Sequence, residues 1–284
     1  MTRARIAVSA WGFGIAVVLA LGCVSWAGDL SERECRRNLK SLSKYVREKA
    51  IWCLVNLEAR PKDAMPLLVN ALLHDPEESV RTEAAAALGA IGPPAVSVVP
   101  VLLKAAHDQR GPKFSVNDAA EKALSQIGPV AIPLLKDALC GEYGAGSGKA
   151  LAGMGTRALP TLIEGLKTEG CRAGAAIGVG QMGPMAASAV PALIAAVADN
   201  SRDVRTWSVR APGQIGPQAK DAVPVLIATL KDSDKWVRLD AVVALGKIGP
   251  AARPAIPGLR AMLSDPDQQI RLNAQATLKA IEAR

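Results

Sequence analysis

Apolar residues along this chain recur at helical steps, and the pattern restarts at intervals near 33 residues. Val237, Ala241, Ala244, Leu245 and Ile248 follow one another at steps of three and four, which lines one face of a helix. Gly249 and Pro250 then end that helix. A second stripe reads Ile256, Leu259, Met262 and Leu263, with Pro257 early in it, where a missing N–H costs least. One unit is therefore a helix, a tight turn and a second, antiparallel helix. The prolines that open the second helices are Pro66, Pro100, Pro133, Pro160, Pro191, Pro224 and Pro257, spaced by 34, 33, 27, 31, 33 and 33 residues. Such regularity marks an internal repeat.

Two further markers keep the same period. A Val-Arg step stands at Val46-Arg47, Val80-Arg81, Val204-Arg205 and Val237-Arg238, and as Ile270-Arg271. An Ile-Gly-Pro stop stands at Ile91, Ile127, Ile215 and Ile248. Between units, Asp75, Asp199, Asp232 and Asp265 precede the first helices and read as N-caps, with Pro76 and Pro266 at the first helical position. Arg81, Arg205, Arg238 and Arg271 each lie six residues after one of these aspartates. The spacing predicts a structural ladder in which each arginine bonds an aspartate or a helix end of a neighbouring unit.

These motifs resemble the HEAT-like repeat family, in particular the short repeats of phycobilisome lyases. The resemblance covers about residues 41–284. It implies an all-α fold, a right-handed α-α superhelix with about seven helical hairpins and a C-terminal capping helix at 266–284. The charged stretch 28–45 is expected to cap the other end, with the solenoid over 46–284. As a guide to function the resemblance is weak, because such repeats serve many unrelated partners.

Residues 1–27 stand apart. Arg3 and Arg5 precede an uncharged run from Ile6 to Ala27, and Asp29 ends it. That layout predicts a secretory signal cut after Ser25-Trp26-Ala27. The run also has the length of a membrane anchor, and Leu21-Gly22-Cys23 faintly resembles a lipoprotein site. All three readings put the chain outside the cytoplasm, in the periplasm, cell envelope or medium, and the membrane is touched only through an uncleaved segment.

Composition adds a core poor in aromatics, at 3%, and a net charge of +8. Part of the basic excess sits at 32–49, which reads as a solvated helix face, with nucleic-acid binding as an alternative. Four cysteines follow residue 27, and two disulfides, Cys35–Cys53 and Cys140–Cys171, are compatible with the repeat register; free buried thiols remain the alternative.

No catalytic signature emerges from the sequence. Gly144 to Ala150 has lysine after glycine, but Tyr143 and Ala150 break the phosphate-loop pattern. His74 and His107 end successive second helices without a third metal ligand. The sequence therefore predicts no catalytic, metal or cofactor site. Trp207 and Trp236 align with polar positions of neighbouring units and are the candidate partner-binding residues.

The repeat also breaks. Glycines crowd 141–155, which predicts a short, loosely held helix. Pro212-Gly213 stands where Leu245-Gly246 does and predicts a first helix that kinks or ends early. The resulting expectation is an exported scaffold that binds another protein. The alternatives are a lyase-like or chaperone-like enzyme, and nucleic-acid binding.

Overall fold

The computed structural model describes residues 31–56, 61–107 and 115–282. The expected leader at 1–27 lies outside them. The described residues form α-helices and short 3-10 turns, with no strand among them. After α1 (Glu32–Asn38) come seven hairpins. They are α2 (Lys44–Asn56) with α3 (Pro61–His74), α4 (Glu78–Ile91) with α5 (Val99–Ala106), α6 (Ser115–Ile127) with α7 (Ile132–Ala138), and α8 (Gly144–Gly153) with α9 (Leu159–Lys167). Then follow α10 (Arg172–Met182) with α11 (Val190–Ala196), α12 (Arg202–Ile215) with α13 (Val223–Thr229), and α14 (Lys235–Ile248) with α15 (Ile256–Ala261). A lone α16 (Gln268–Glu282) closes the array. This is an α-solenoid.

The turns within the second to seventh hairpins share one cause. Gly92, Gly128, Gly155, Gly183, Gly216 and Gly249 all hold φ between 58° and 82°, where a side chain would be strained. A 3-10 turn follows, and the next proline then sits at the start of the second helix, as at Pro100, Pro191 and Pro224.

Burial is continuous along the stack. Val80, Leu88, Leu124, Leu135, Leu162, Leu193, Val237 and Leu259 are each fully buried in one core that runs from Cys35 to Ile281. Each first helix packs broadly on the next first helix, whereas successive second helices meet at few points. Small residues allow this. A Cβ on Gly89 of α4 would stand 2.6 Å from the Ala123 Cα of α6, and one on Gly213 of α12 would stand 2.8 Å from the Ala244 Cα of α14. A stack with one tight row and one splayed row bends toward the tight row, so the first helices line the inside.

Three expectations are corrected. Asp75, Asp199, Asp232 and Asp265 are not N-caps, since α4, α12 and α14 are preceded by Glu77, Ser201 and Asp234. Each aspartate instead accepts the backbone N–H two residues on, folding the linker into an Asx turn before the helix begins. The first helix of unit four is short, as its glycines predict, but it is tightly held. Gly148 lies against the Gly174 carbonyl of α10, and a Cβ on Gly174 would approach the Gly144 O to 2.5 Å. The glycines serve backbone contact rather than flexibility. Finally, α12 runs through Pro212 to Ile215 and has the same 14 residues as α14. Pro212 is buried in the core, and that packing sustains the helix past the missing N–H.

Candidate functional site

The ladder residues come together in a regular way. Arg205 donates to Asp232 at 2.9 Å and Arg238 to Asp265 at 3.0 Å, each reaching the linker that precedes the next unit. The same guanidinium turns its other nitrogen back to its own linker: Arg205 to the Asp199 and Asn200 carbonyls, Arg238 to those of Asp232 and Ser233. Arg81 and Arg271 make the backward bonds too, to Asp75 and Pro76 and to Asp265 and Pro266. Two more rungs were not singled out from sequence. Arg47 pairs with Asp75 at 2.7 Å and Arg172 with Asp199 at 2.6 Å. Their places in Val46-Arg47 and Cys171-Arg172 were the available signal.

Electrostatics agree with this geometry. The Asp75 carboxylate raises the Arg47 pKa, and Asp265 does the same for Arg238. The Arg238 guanidinium holds the Asp265 carboxyl below its ordinary value, while at Asp199 the Ser201 N–H is the chief cause of the lowering. Arg47, Arg205 and Arg238 are each held by protein partners on both sides, so the ladder organises linkers, although the buried Arg81 Nε has no partner.

The inner row carries the exposed chemistry. Trp236 at the start of α14 is 47% exposed, with the Lys235 ammonium 4.8 Å from its ring. Trp207 of α12 is half-buried against the core, and the Arg210 guanidinium stacks over it at 5.0 Å. Arg210 also bonds Asp240 of α14 at 2.7 Å. Burial raises the Asp240 carboxyl above its ordinary value, and Arg210 opposes this. At the other end, Trp52 Nε1 donates to Glu83 at 2.6 Å, so this third tryptophan is a tether between α2 and α4.

Between α6 and α8 the inner row opens. Contact between these two first helices is sparser than between α4 and α6 or between α8 and α10. An open cleft of about 510 Å³ lies here, lined by Asp118, Glu121, Lys122, Gln126, Lys149 and Gln181 among others. Glu121 takes the position that Ala85, Val209 and Val242 hold in other units, all buried. Burial pushes its carboxyl above the ordinary value, and the Lys149 ammonium at 2.9 Å holds it back. An acid within the apolar stripe was the sequence signal for this cleft, and it was missed.

Other candidates resolve simply. Gly144 to Lys149 is helical and forms no phosphate loop. His74 ends α3, and His107 meets the Tyr143 ring edge-on at 5.8 Å. No cluster of three metal-ligating side chains occurs among the described residues. Cys35 is disulfide-bonded to Cys53, and Cys140 to Cys171.

A family model of HEAT repeats matches residues 36–113 and 190–279. The chain belongs to the HEAT-repeat family. The stretch left unmatched, 114–189, holds the cleft and the glycine contacts, and there the HEAT array continues in structure with fewer of the sequence marks: the stop at Ile127, Pro133 and Pro160 remain, and the Val-Arg step does not. No curated protein matches the chain. Among solved structures, it is similar to karyopherin Kap121p bound to the extreme C-terminus of the protein phosphatase Cdc14p, with a TM-score of 0.62 and 15% identity over 88% of this chain and 33% of that one. Kap95p with RanGDP gives 0.55 and 13% over 88% and 42%. The chain thus spans less than half the length of either. The CpcE–CpcF phycocyanin lyase of Nostoc sp. PCC7120 gives 0.45 and 23% over 52% and 97%. The first two likenesses show the solenoid fold.

Proposed function

We propose that this HEAT-repeat protein is an exported scaffold that holds a protein partner against its inner row and performs no catalysis of its own. The observation that carries the reading is Trp236. Trp236 is one of eight large apolar side chains left exposed among the described residues, at 47%, and it and Trp207 of the preceding unit each carry a cation at the ring. Exposed tryptophan on a rigid support is the usual anchor of a protein contact. The similar Kap121p holds the C-terminus of another protein, which is in keeping with a protein partner. Export is supported by the uncharged run from Ile6 and by the two disulfides.

The test is a crosslinking capture from the native extracytoplasmic fraction, run side by side with wild type and the Trp207→Ala/Trp236→Ala variant. A partner held by wild type is expected to bind the variant at least about tenfold more weakly, from loss of a hot spot near 1.4 kcal/mol or more. Equal capture would remove the tryptophan patch. Fusing residues 1–30 to a phosphatase that is active only after export tests the location separately.

A further inference from the structure

The two disulfides differ in access and in chemistry. Cys35 and Cys53 are both buried, at 0% and 6% exposure, and each lies inside a helix, α1 and α2. Cys140 is exposed just beyond the end of α7, whereas its partner Cys171 is 2% exposed and is the N-cap of α10. A thiol can therefore approach only one sulfur of this pair. The other sulfur belongs to the N-cap residue of α10, makes no cap hydrogen bond and lies 3.7 Å from the Glu169 carbonyl oxygen. An exposed cysteine, open to attack, and a buried one, left to depart, thus stand at opposite ends of one bond.

The bond also has a specific place in the array. Its ends lie 31 residues apart and enclose the whole of unit four, α8 with α9, so that α7 of unit three is tied directly to α10 of unit five. Unit four is the one whose first helix has only 10 residues and is rich in glycine, and it forms one wall of the cleft through Lys149.

We infer that Cys140–Cys171 is a thiol-exchange site for a dithiol reductant, and that opening it loosens unit four while Cys35–Cys53 stays closed. A thiolate of the dithiol attacks Cys140 Sγ and forms a mixed disulfide. The Sγ–Sγ bond breaks and its electron pair leaves as the Cys171 thiolate. The second thiol of the reductant, once deprotonated, attacks its own sulfur in the mixed disulfide and expels the Cys140 thiolate. The reductant ends as a disulfide, and two electrons have passed to the protein. With the staple open, α8 is held by its backbone contacts to α10 and by the Lys149–Glu121 pair.

The experiment uses the full oxidised chain as isolated. Limiting dithiothreitol is added at neutral pH, free thiols are trapped with iodoacetamide at intervals, and the four cysteines are read by peptide mapping. Cys140 and Cys171 are expected to be trapped at least about tenfold faster than Cys35 and Cys53. Glutathione, a single thiol, should leave its adduct on Cys140 and not on Cys171. Hydrogen exchange of the α8 amides should rise about tenfold on selective reduction, with α14 unchanged. Equal reduction of the two disulfides, glutathione on Cys171, unaltered α8 exchange, or four free thiols in the isolated chain would each overturn the inference.

Discussion

Gly148 of α8 and Gly174 of α10 meet backbone to backbone, so that a methyl group on Gly148 would collide with the Gly174 carbonyl. In an isolated helix, glycine to alanine stabilises by about 0.5–1 kcal/mol. Here the sign is reversed. Gly148→Ala and Gly174→Ala are each expected to destabilise units four and five by about 1–3 kcal/mol, since the facing backbone has to shift. Gly146, two residues away, is the control: its Cβ would meet the Ala106 Cβ at 3.4 Å, an ordinary contact, and Gly146→Ala should be neutral or stabilising. Urea unfolding followed by circular dichroism separates the two signs.

The rungs should be unequal. Arg47 and Asp75 are 9% and 8% exposed, whereas Arg172 is 33% exposed in its pair with Asp199. Arg47→Met strands a buried carboxylate and should cost about 3 kcal/mol. Arg172→Met removes an arginine that is itself one-third exposed and should cost about 1 kcal/mol. Local hydrogen exchange is the suitable readout, because a repeat array can open unit by unit. Equal losses would mean that burial does not grade the ladder.

Two serines occupy the core position that Ala84, Ala120 and Ala241 fill elsewhere. Ser147 donates to the Leu135 carbonyl at 2.8 Å, whereas the buried Ser208 hydroxyl has no partner. Ser208→Ala should therefore stabilise by about 1 kcal/mol, since an unpaired hydroxyl is costly to bury. Ser147→Ala should lose about 1 kcal/mol through the orphaned carbonyl. Thermal midpoints of the two variants, moving in opposite directions, check this.

Acid should weaken the array in a set window. The folded Asp265 carboxyl titrates below its ordinary value of 3.8, because Arg238 and the Asp267 N–H favour its charge. Its stabilisation is complete above the ordinary value and is lost as pH falls through the lower, folded one. Asp199 behaves alike. Glu121 and Asp240 run the other way, since burial raises them and protonation relieves that cost on the way down. Urea midpoints should thus hold to about pH 5 and drop by about pH 3, and Asp265→Asn should shrink that drop. An unchanged drop in the variant would show that other carboxylates carry it.

The seven hairpins were legible because proline recurs in every unit, because glycine marks the turns of units two to seven, and because the apolar steps repeat. Pro257 and Gly249 say where one unit turns, and the same letters recur at Pro224 and Gly216. Trp236 could be placed outward by comparing it with polar residues at its own repeat position. What escaped was contact between units, which no single helix pattern encodes. Glycines at 144, 148, 174 and 178 read as weakness in isolation and as close approach only once α8 faces α10. Pro212 likewise reads as a breaker until its burial is seen. Glu121 was hidden because its meaning depends on Lys149, 28 residues away.

Arg47, Arg205 and Arg238 each join their own linker to the one that follows, so a junction of this kind is specified by what lies within one period. Cutting out a stretch from one such aspartate to the next, as from Asp199 to Asp232, would bring Arg172 to the later aspartate with the register intact. Genes of this design can lengthen or shorten by whole modules without inventing a new seam. Unit four is outside that freedom: its covalent tie and its glycine-to-glycine fit bind it to particular neighbours, and so fix the middle of the rod while the two arms remain free to vary in length.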